Sequence, residues 1–237
     1  MKNPESMFIA IEGGDGSGKG TQTTMLNEAV IKRGHNVLKL SFPQYGKPSA
    51  RRVERYLNGK YGEDAQSLHP DLTSLPFAID RYAAAPEIRD FLKTPGNIVL
   101  SDRYVFSNLA HNGAKLDDTE ERRQFYNESL ELEFDLLGIP RPDINFLLLL
   151  PPDIAQSNVD KKAARGYTDR KRDIHEANYH HQELALRAYI ELSELYPEAF
   201  IAIQCLSRSG KMRSPDDIHA EILSHVENQL KNSTEVE

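Results

Sequence analysis

MFIAIEGGDGSGKGT, residues Met7 to Thr21, decides how the rest of this chain is read. Phe8 to Ile11 is a short apolar, β-prone run that passes directly into a glycine-rich turn and then into Gly18-Lys19-Gly20-Thr21-Gln22. A buried parallel strand, a glycine turn and a helix start form the setting in which a loop cradles phosphate. Glycines let successive N–H groups curl around an anion, the helix start aims its positive dipole end at the same point, and the Lys19 ammonium adds charge. The pattern G-x-x-x-x-G-K-[ST] is met from Gly13 to Lys19, with Gly14, Asp15, Gly16, Ser17 and Gly18 between. Gly20 then stands in the hydroxyl position, with Thr21 next. The stretch reads as a nucleoside-triphosphate-binding loop.

Working outward, a helix is predicted over 20–33 with Gly34 as its cap, and a strand over 36–41. A break at Phe42-Pro43 precedes a helix over 49–57, and residues 71–93 are helical, with Pro76 and Pro86 kinking or dividing them. Further strands are predicted over 97–101, 144–150 and 200–204. Helices are predicted over 117–137, 152–164, 174–195 and from Ser214 on, with a frayed tail after Lys231. Strands alternating with helices predict an α/β fold, a doubly wound five-stranded parallel sheet flanked by helices, in one domain spanning 1–237. Ligands of such sheets sit beyond the carboxyl ends of the strands, where both the glycine loop and Asp102-Arg103 fall.

The chain has 237 residues and a net charge of −7, which argues against a nucleic-acid-coating surface. One cysteine, Cys205, leaves no internal disulfide and suits a reducing compartment. The start, MKNPES, lacks a signal peptide's apolar core, and the run from Phe146 to Leu150 is too short to cross a bilayer. These features lead us to expect a soluble cytoplasmic protein with no membrane partner.

Asp-Arg-Tyr occurs twice, at Asp80-Arg81-Tyr82 and Asp102-Arg103-Tyr104. Only the second follows an apolar strand, so Asp102 is read as the acid on the magnesium side, acting through water, with a helix N-cap as its plainer alternative. Residues 161–172, KKAARGYTDRKR, hold six basic residues in twelve. A solvated face, a nucleic-acid patch and a lid that lowers arginines onto a transferring phosphoryl group compete for that run on composition alone. Phe77 and Arg81 stand four apart on one helical face. Their spacing alone favours a core aromatic and a surface ion pair.

Taken together, the chain resembles the thymidylate kinases, P-loop nucleoside monophosphate kinases that phosphorylate dTMP to dTDP. The matching residues cover nearly its whole length in the family's order. They are Glu12-Gly13-Gly14-Asp15-Gly16-Ser17-Gly18-Lys19, Phe42-Pro43, Phe77-x-x-x-Arg81-Tyr82, Asp102-Arg103-Tyr104-x-x-Ser107-Asn108-x-Ala110, the basic run at about 161–173, and Asp173-x-His-Glu176. The resemblance implies ATP as donor, magnesium as cofactor and a homodimer. It also implies that Phe42 and Pro43 belong to the acceptor side, that Phe77 stacks on thymine and that Arg81 reaches a carbonyl of the base. Arg103 would grip the monophosphate, Ser107 and Asn108 would line the base pocket, and Asp15 would approach the sugar 3′-hydroxyl.

Three departures shape these expectations. Gly20-Thr21 is the adenylate kinase form of the loop, which leaves the direct hydroxyl contact to magnesium without its residue. Asp15 stands where adenylate kinases carry proline, which favours the thymidylate reading. His111 stands where the family has an aromatic linked to excluding a 2′-hydroxyl, so deoxyribose selectivity is expected to be looser. Gly16 stands where one subgroup has an arginine, which shifts the catalytic role to lid arginines, namely Arg165, Arg170 and Arg172. A kinase of the same fold for AMP, UMP or dUMP and a P-loop regulatory ATPase are the rival readings.

Overall fold

The computed structural model describes residues 3, 5–62, 67–155 and 179–234. Five strands form one sheet in the order β2-β3-β1-β4-β5, and every pairing is parallel. The strands are β1 (Met7–Gly13), β2 (Val37–Ser41), β3 (Ile98–Asp102), β4 (Ile144–Leu149) and β5 (Phe200–Gln204). Each lies where the apolar runs predicted it.

Helices cover both faces of the sheet. They are α1 (Lys19–Lys32), α2 (Arg51–Leu57), α3 (Pro70–Phe91), α4 (Val105–Gly113), α5 (Thr119–Leu130), α6 (Tyr179–Leu195) and α7 (Pro215–Thr234). The alternation of β1 divides the core. Phe8 and Ala10 pack with α3, α4 and α6 on one side, while Met7, Ile9 and Ile11 pack with α1 and α7 on the other. Each of the buried Phe, Met and Ile side chains contributes about 1.5–3 kcal/mol of apolar burial. β1 is therefore the central strand of a two-faced core, and the loop at its carboxyl end lies where the strand order turns outward both ways.

Four details differ from expectation. α3 is one helix that contains Pro76 and Pro86, and neither divides it. α4 was not foreseen: it spans only nine residues, all buried, and its polar stripe of Ser107, Asn108, His111 and Asn112 faces the cleft and not solvent. The segment expected as one helix over 117–137 starts at Thr119, capped by Asp118, and changes to a π-helical turn over Glu131–Leu136. The last helix runs to Thr234, past the expected fraying point. Of the helix expected over 152–164, only residues 152–155 are described, and they are helical. The basic run with Arg165, Arg170 and Arg172 lies outside the described residues.

Candidate active site

The glycine loop joins β1 to α1 and folds as its sequence requires. Gly13 has φ +139, and a Cβ placed on it would meet the Leu148 carbonyl oxygen at 2.7 Å, so the neighbouring strand leaves no room for a side chain. Lys19, in the first turn of α1, is buried, and its Nζ donates to the Gly14 carbonyl at 2.7 Å. Ser17 is buried beneath the loop, and Cys205 Sγ lies 3.9 Å from its carbonyl oxygen. Burial pushes the Cys205 thiol up to about 11, so it packs as an inert thiol. Thr21 is exposed.

Two clefts meet at this loop. One is lined by the loop, by Ser41 and Asp102 at the ends of β2 and β3, and by Phe42, Pro43 and Arg103. The other shares Asp15, Phe42, Pro43 and Arg103 and runs on to Phe77, Arg81, Ser107, Asn108 and His111. Every residue assigned to the acceptor by resemblance lines this second cleft. The helical spacing alone had suggested otherwise for two of them. Phe77 is half-buried: it packs on the small cluster of Val53, Tyr56 and Leu57, edge-on to Tyr56 with ring centroids 6.3 Å apart, and also lines the cleft. Arg81 is a buried ion pair, not a surface one, and its partner is Glu133 at 2.6 Å.

The duplicated Asp-Arg-Tyr motif resolves into two different jobs. Asp80 is fully buried and accepts from the Gln44 backbone N–H at 2.7 Å and the Ser49 hydroxyl at 2.6 Å, which ties down the turn after Phe42-Pro43. Asp102 ends β3 at the edge of the loop cleft. A Cβ on Gly20 would lie 3.3 Å from Asp102 Oδ2, a tight contact that a small shift of the carboxylate would relieve, so the acid stands directly beside the loop's hydroxyl position.

Arg103 is the pivot between the clefts. Its guanidinium donates to Asp15 Oδ1, to the Gly13 carbonyl at 3.2 Å and to Ser107 Oγ at 3.2 Å, and it lies 3.4 Å from His111 Nε2. Burial works against its charge, but Asp15 first among the facing groups outweighs burial and holds the guanidinium above its ordinary value. Among the described residues Arg103 alone combines a side chain with positive φ, at +68. Such a backbone costs about 1–3 kcal/mol and persists only where surroundings fix it. Here the Arg103 N–H donates to Ile11 O at 3.0 Å, Ser101 Oγ donates to the Arg103 carbonyl at 2.6 Å, and the Tyr104 N–H donates to Glu12 Oε1 at 2.9 Å.

Glu12, quoted in the sequence without a role, is thus part of the site. It is fully buried, and Oε2 accepts from the Ser107 hydroxyl. Burial raises its carboxyl above the ordinary value against the hydrogen bond from Ser107 and the charges of Arg103 and Lys19. A lone acid at the end of an apolar strand was the signal for it. Glu133 carried no such signal, since it sits in a charged helical run. His111 is buried, and burial, then Arg103, keep its ring well below the ordinary histidine value against the pull of Asp15.

Magnesium asks for oxygen ligands and takes one or two carboxylates together with substrate phosphates. Asp102 beside Ser41 in the loop cleft suits that mode, and among the described residues no cluster of three or more acids, histidines or cysteines forms a dedicated metal cage.

The geometry agrees with what comparison finds. The thymidylate kinase family model matches residues 11–211. The thymidylate kinase of Mycobacterium tuberculosis is 34% identical over 188 residues, covering 79% of this chain and 86% of the relative. A probable thymidylate kinase of Thermococcus onnurineus is 32% identical over 230 residues, covering 94% and 98%. Among solved structures, the thymidylate kinase of Candida albicans superposes with a TM-score of 0.70 at 21% identity, over 97% of this chain and 94% of that one. The chain belongs to the thymidylate kinase family.

Proposed function

We propose that this protein transfers the γ-phosphoryl group of ATP to the 5′-phosphate of dTMP, giving dTDP and ADP. The observation that carries this reading is the meeting of a phosphate-loop cleft and an aromatic-lined cleft at Asp15 and Arg103. ATP would bind its phosphates along the loop amides and Lys19, and dTMP would lie with its base between Phe42 and Phe77 and its phosphate against Arg103. Thymine has two carbonyls and one N–H on its pairing edge, and the donor Arg81 and the amide Asn108 suit that edge.

The reaction follows from this layout. An oxygen of the dTMP phosphate, already ionised near neutral pH, attacks the γ-phosphorus in line, and the bond to the β,γ-bridging oxygen breaks as ADP leaves. No general base is required. Arg103 fixes the acceptor oxygen, which converts an encounter into an intramolecular geometry, while Lys19 stabilises charge on the transferring group. Magnesium, held through Asp102, would neutralise the donor's phosphates. The segment at about 161–173 would act as a lid whose Arg165, Arg170 and Arg172 complete the charge complement and exclude water. A polar His111, where the family has an aromatic linked to excluding a 2′-hydroxyl, supports a second possibility within the same chemistry, acceptance of the ribonucleotide UMP beside dTMP. Turnover of ATP over a panel of monophosphates tests all of this.

The face of α3 carrying Leu72, Leu75, Ile79 and Tyr82 is 43–65% exposed at those positions, an apolar stripe at helical spacing. It supports a homodimer built by pairing α3 with its copy across a two-fold axis. Replacing Leu75 and Ile79 together by Asp would give a monomer in sedimentation; a monomeric wild type would refute the pairing. A reducing cell interior suits the buried free thiol of Cys205 and fits a cytoplasmic enzyme.

A further inference from the structure

We infer that Glu133, which does not itself line the acceptor cleft, sets the hydrogen-bond polarity of the cleft's base end and so selects a 4-oxo over a 4-amino pyrimidine. The inference rests on the thymidylate reading above.

Glu133 comes from the π-helical turn Glu131–Leu136, where α5 loses its regular period. Such turns re-aim one side chain and recur at functional sites. Here the re-aimed side chain is a carboxylate with almost no solvent exposure. Arg81 Nε donates to Oε2 at 2.6 Å and Arg81 Nη2 to Oε1 at 2.6 Å, and Asn108 Nδ2 donates to Oε1 at 3.1 Å. A carboxylate gripped by a guanidinium is an acceptor only, so it admits the NH₂ end of Asn108 and repels the carbonyl end.

The other end of the network enforces the same direction. Lys115 Nζ, a donor only, reaches Thr73 Oγ1 at 2.6 Å, and the Thr73 hydroxyl donates to Asn112 Oδ1 at 2.5 Å. Asn112 Nδ2 then donates to Asn108 Oδ1 at 2.8 Å. Every bond from Lys115 through Thr73, Asn112 and Asn108 points toward Glu133. With a pure donor at one end and a pure acceptor at the other, no amide in the chain can flip without creating two facing donors or two facing acceptors.

The consequence appears at the cleft, which both Arg81 and Asn108 line. Glu133 engages Nε and Nη2 of Arg81, leaving the Nη1 donors for a ligand. Asn108 Oδ1 keeps one lone pair beyond the bond from Asn112. A donor beside an acceptor matches a 4-carbonyl beside N3–H, the edge of thymine or uracil. Cytosine offers a 4-amino donor beside a bare N3 and mismatches at both points, which a buried polar site penalises heavily.

The test compares kcat/KM for dTMP and dCMP, with thermal melts in parallel. Glu133→Gln keeps the volume but introduces an NH₂ that must face Arg81 or Asn108 and displace one of them, because the Ser74 carbonyl at 3.3 Å and Asn112 still hold the Asn108 amide against a flip. We expect the dTMP-over-dCMP ratio to fall by roughly tenfold or more, about one misplaced hydrogen bond to a charged group, with KM for ATP unchanged. Glu133→Asp stays acceptor-only, so the ratio should hold even where the melting temperature drops. A folded Glu133→Gln with an unchanged ratio overturns the inference. If that variant does not fold, Asn112→Asp sets an acceptor against Asn108 Oδ1 while Glu133 still holds Asn108 Nδ2; a kept ratio supports the inference, and a tenfold fall, which would make Asn112 the residue that sets the polarity, overturns it. A wild type that does not phosphorylate dTMP removes the functional reading itself. A wild type that prefers dTMP, with folded variants that keep the preference, removes only the role of Glu133.

Discussion

The Asp15 carboxylate on the phosphate loop accepts a hydrogen bond from Arg103 Nη2 on the turn after β3, and both side chains are largely buried. A carboxylate among donors arranged for anions is otherwise repelled by the tail that the loop binds. Pairing with Arg103 resolves that conflict and couples the two clefts. Asp15→Asn should therefore disturb the acceptor side more than the donor side. KM for dTMP should rise about tenfold or more, the scale of a lost charge-assisted hydrogen bond, while ATP affinity holds or improves. A 3′-deoxy analogue of dTMP should be a poor substrate of the wild type, and the mutation should cost it much less. Equal losses for both acceptors would mean that Asp15 only positions Arg103 and does not read the sugar hydroxyl.

Gly13 should tolerate no side chain. Gly13→Ala combines φ +139 with a 2.7 Å approach to the Leu148 carbonyl oxygen, a backbone atom that β4 holds in place. We expect a loss of at least about 2 kcal/mol of stability, read as a lowered urea midpoint with an unchanged m-value. A wild-type midpoint would show that the loop relaxes freely, contrary to its close fit against the sheet.

His111 gives stability a pH dependence of definite sign. Its folded value lies well below the ordinary 6.5, chiefly through burial. Below about pH 6.5 the unfolded chain takes up a proton at this position and the native protein does not, so native stability falls as pH falls. The slope for one such group approaches about 1.4 kcal/mol per pH unit. Glu12, raised by burial, acts in the opposite sense from about pH 4.5 upward, so the comparison must be made between wild type and variant. His111→Phe should lose this slope between about pH 6.5 and pH 5 in urea titrations. An unchanged slope would mean that His111 is protonated in the folded protein.

The strands and the phosphate loop were legible because apolar runs, Gly13 and Lys19 each carry a local signal. α4 was not, since it is short and its polar stripe faces a buried cleft and not solvent, although its Ser107, Asn108 and His111 were assigned to the site by resemblance. Arg81 was misjudged from spacing because its partner Glu133 lies 52 residues away, on a π turn that no local pattern announces. Asp80 and Asp102 share a motif, and only the strand before Asp102 distinguished them. What the sequence could not convey was pairing at long range: Asp15 with Arg103, Glu12 with Tyr104 and Ser107.

The most direct test of the central claim is steady-state turnover of ATP by the purified protein over dTMP, dUMP, UMP, dCMP and AMP. The account predicts ADP release that depends on added monophosphate, dTDP as product, and the highest kcat/KM for dTMP. It further predicts that Lys19→Ala lowers kcat by about 10²–10³, the scale of one lost charge-stabilising donor. ATP hydrolysis indifferent to monophosphate, or AMP preferred over dTMP, would contradict it.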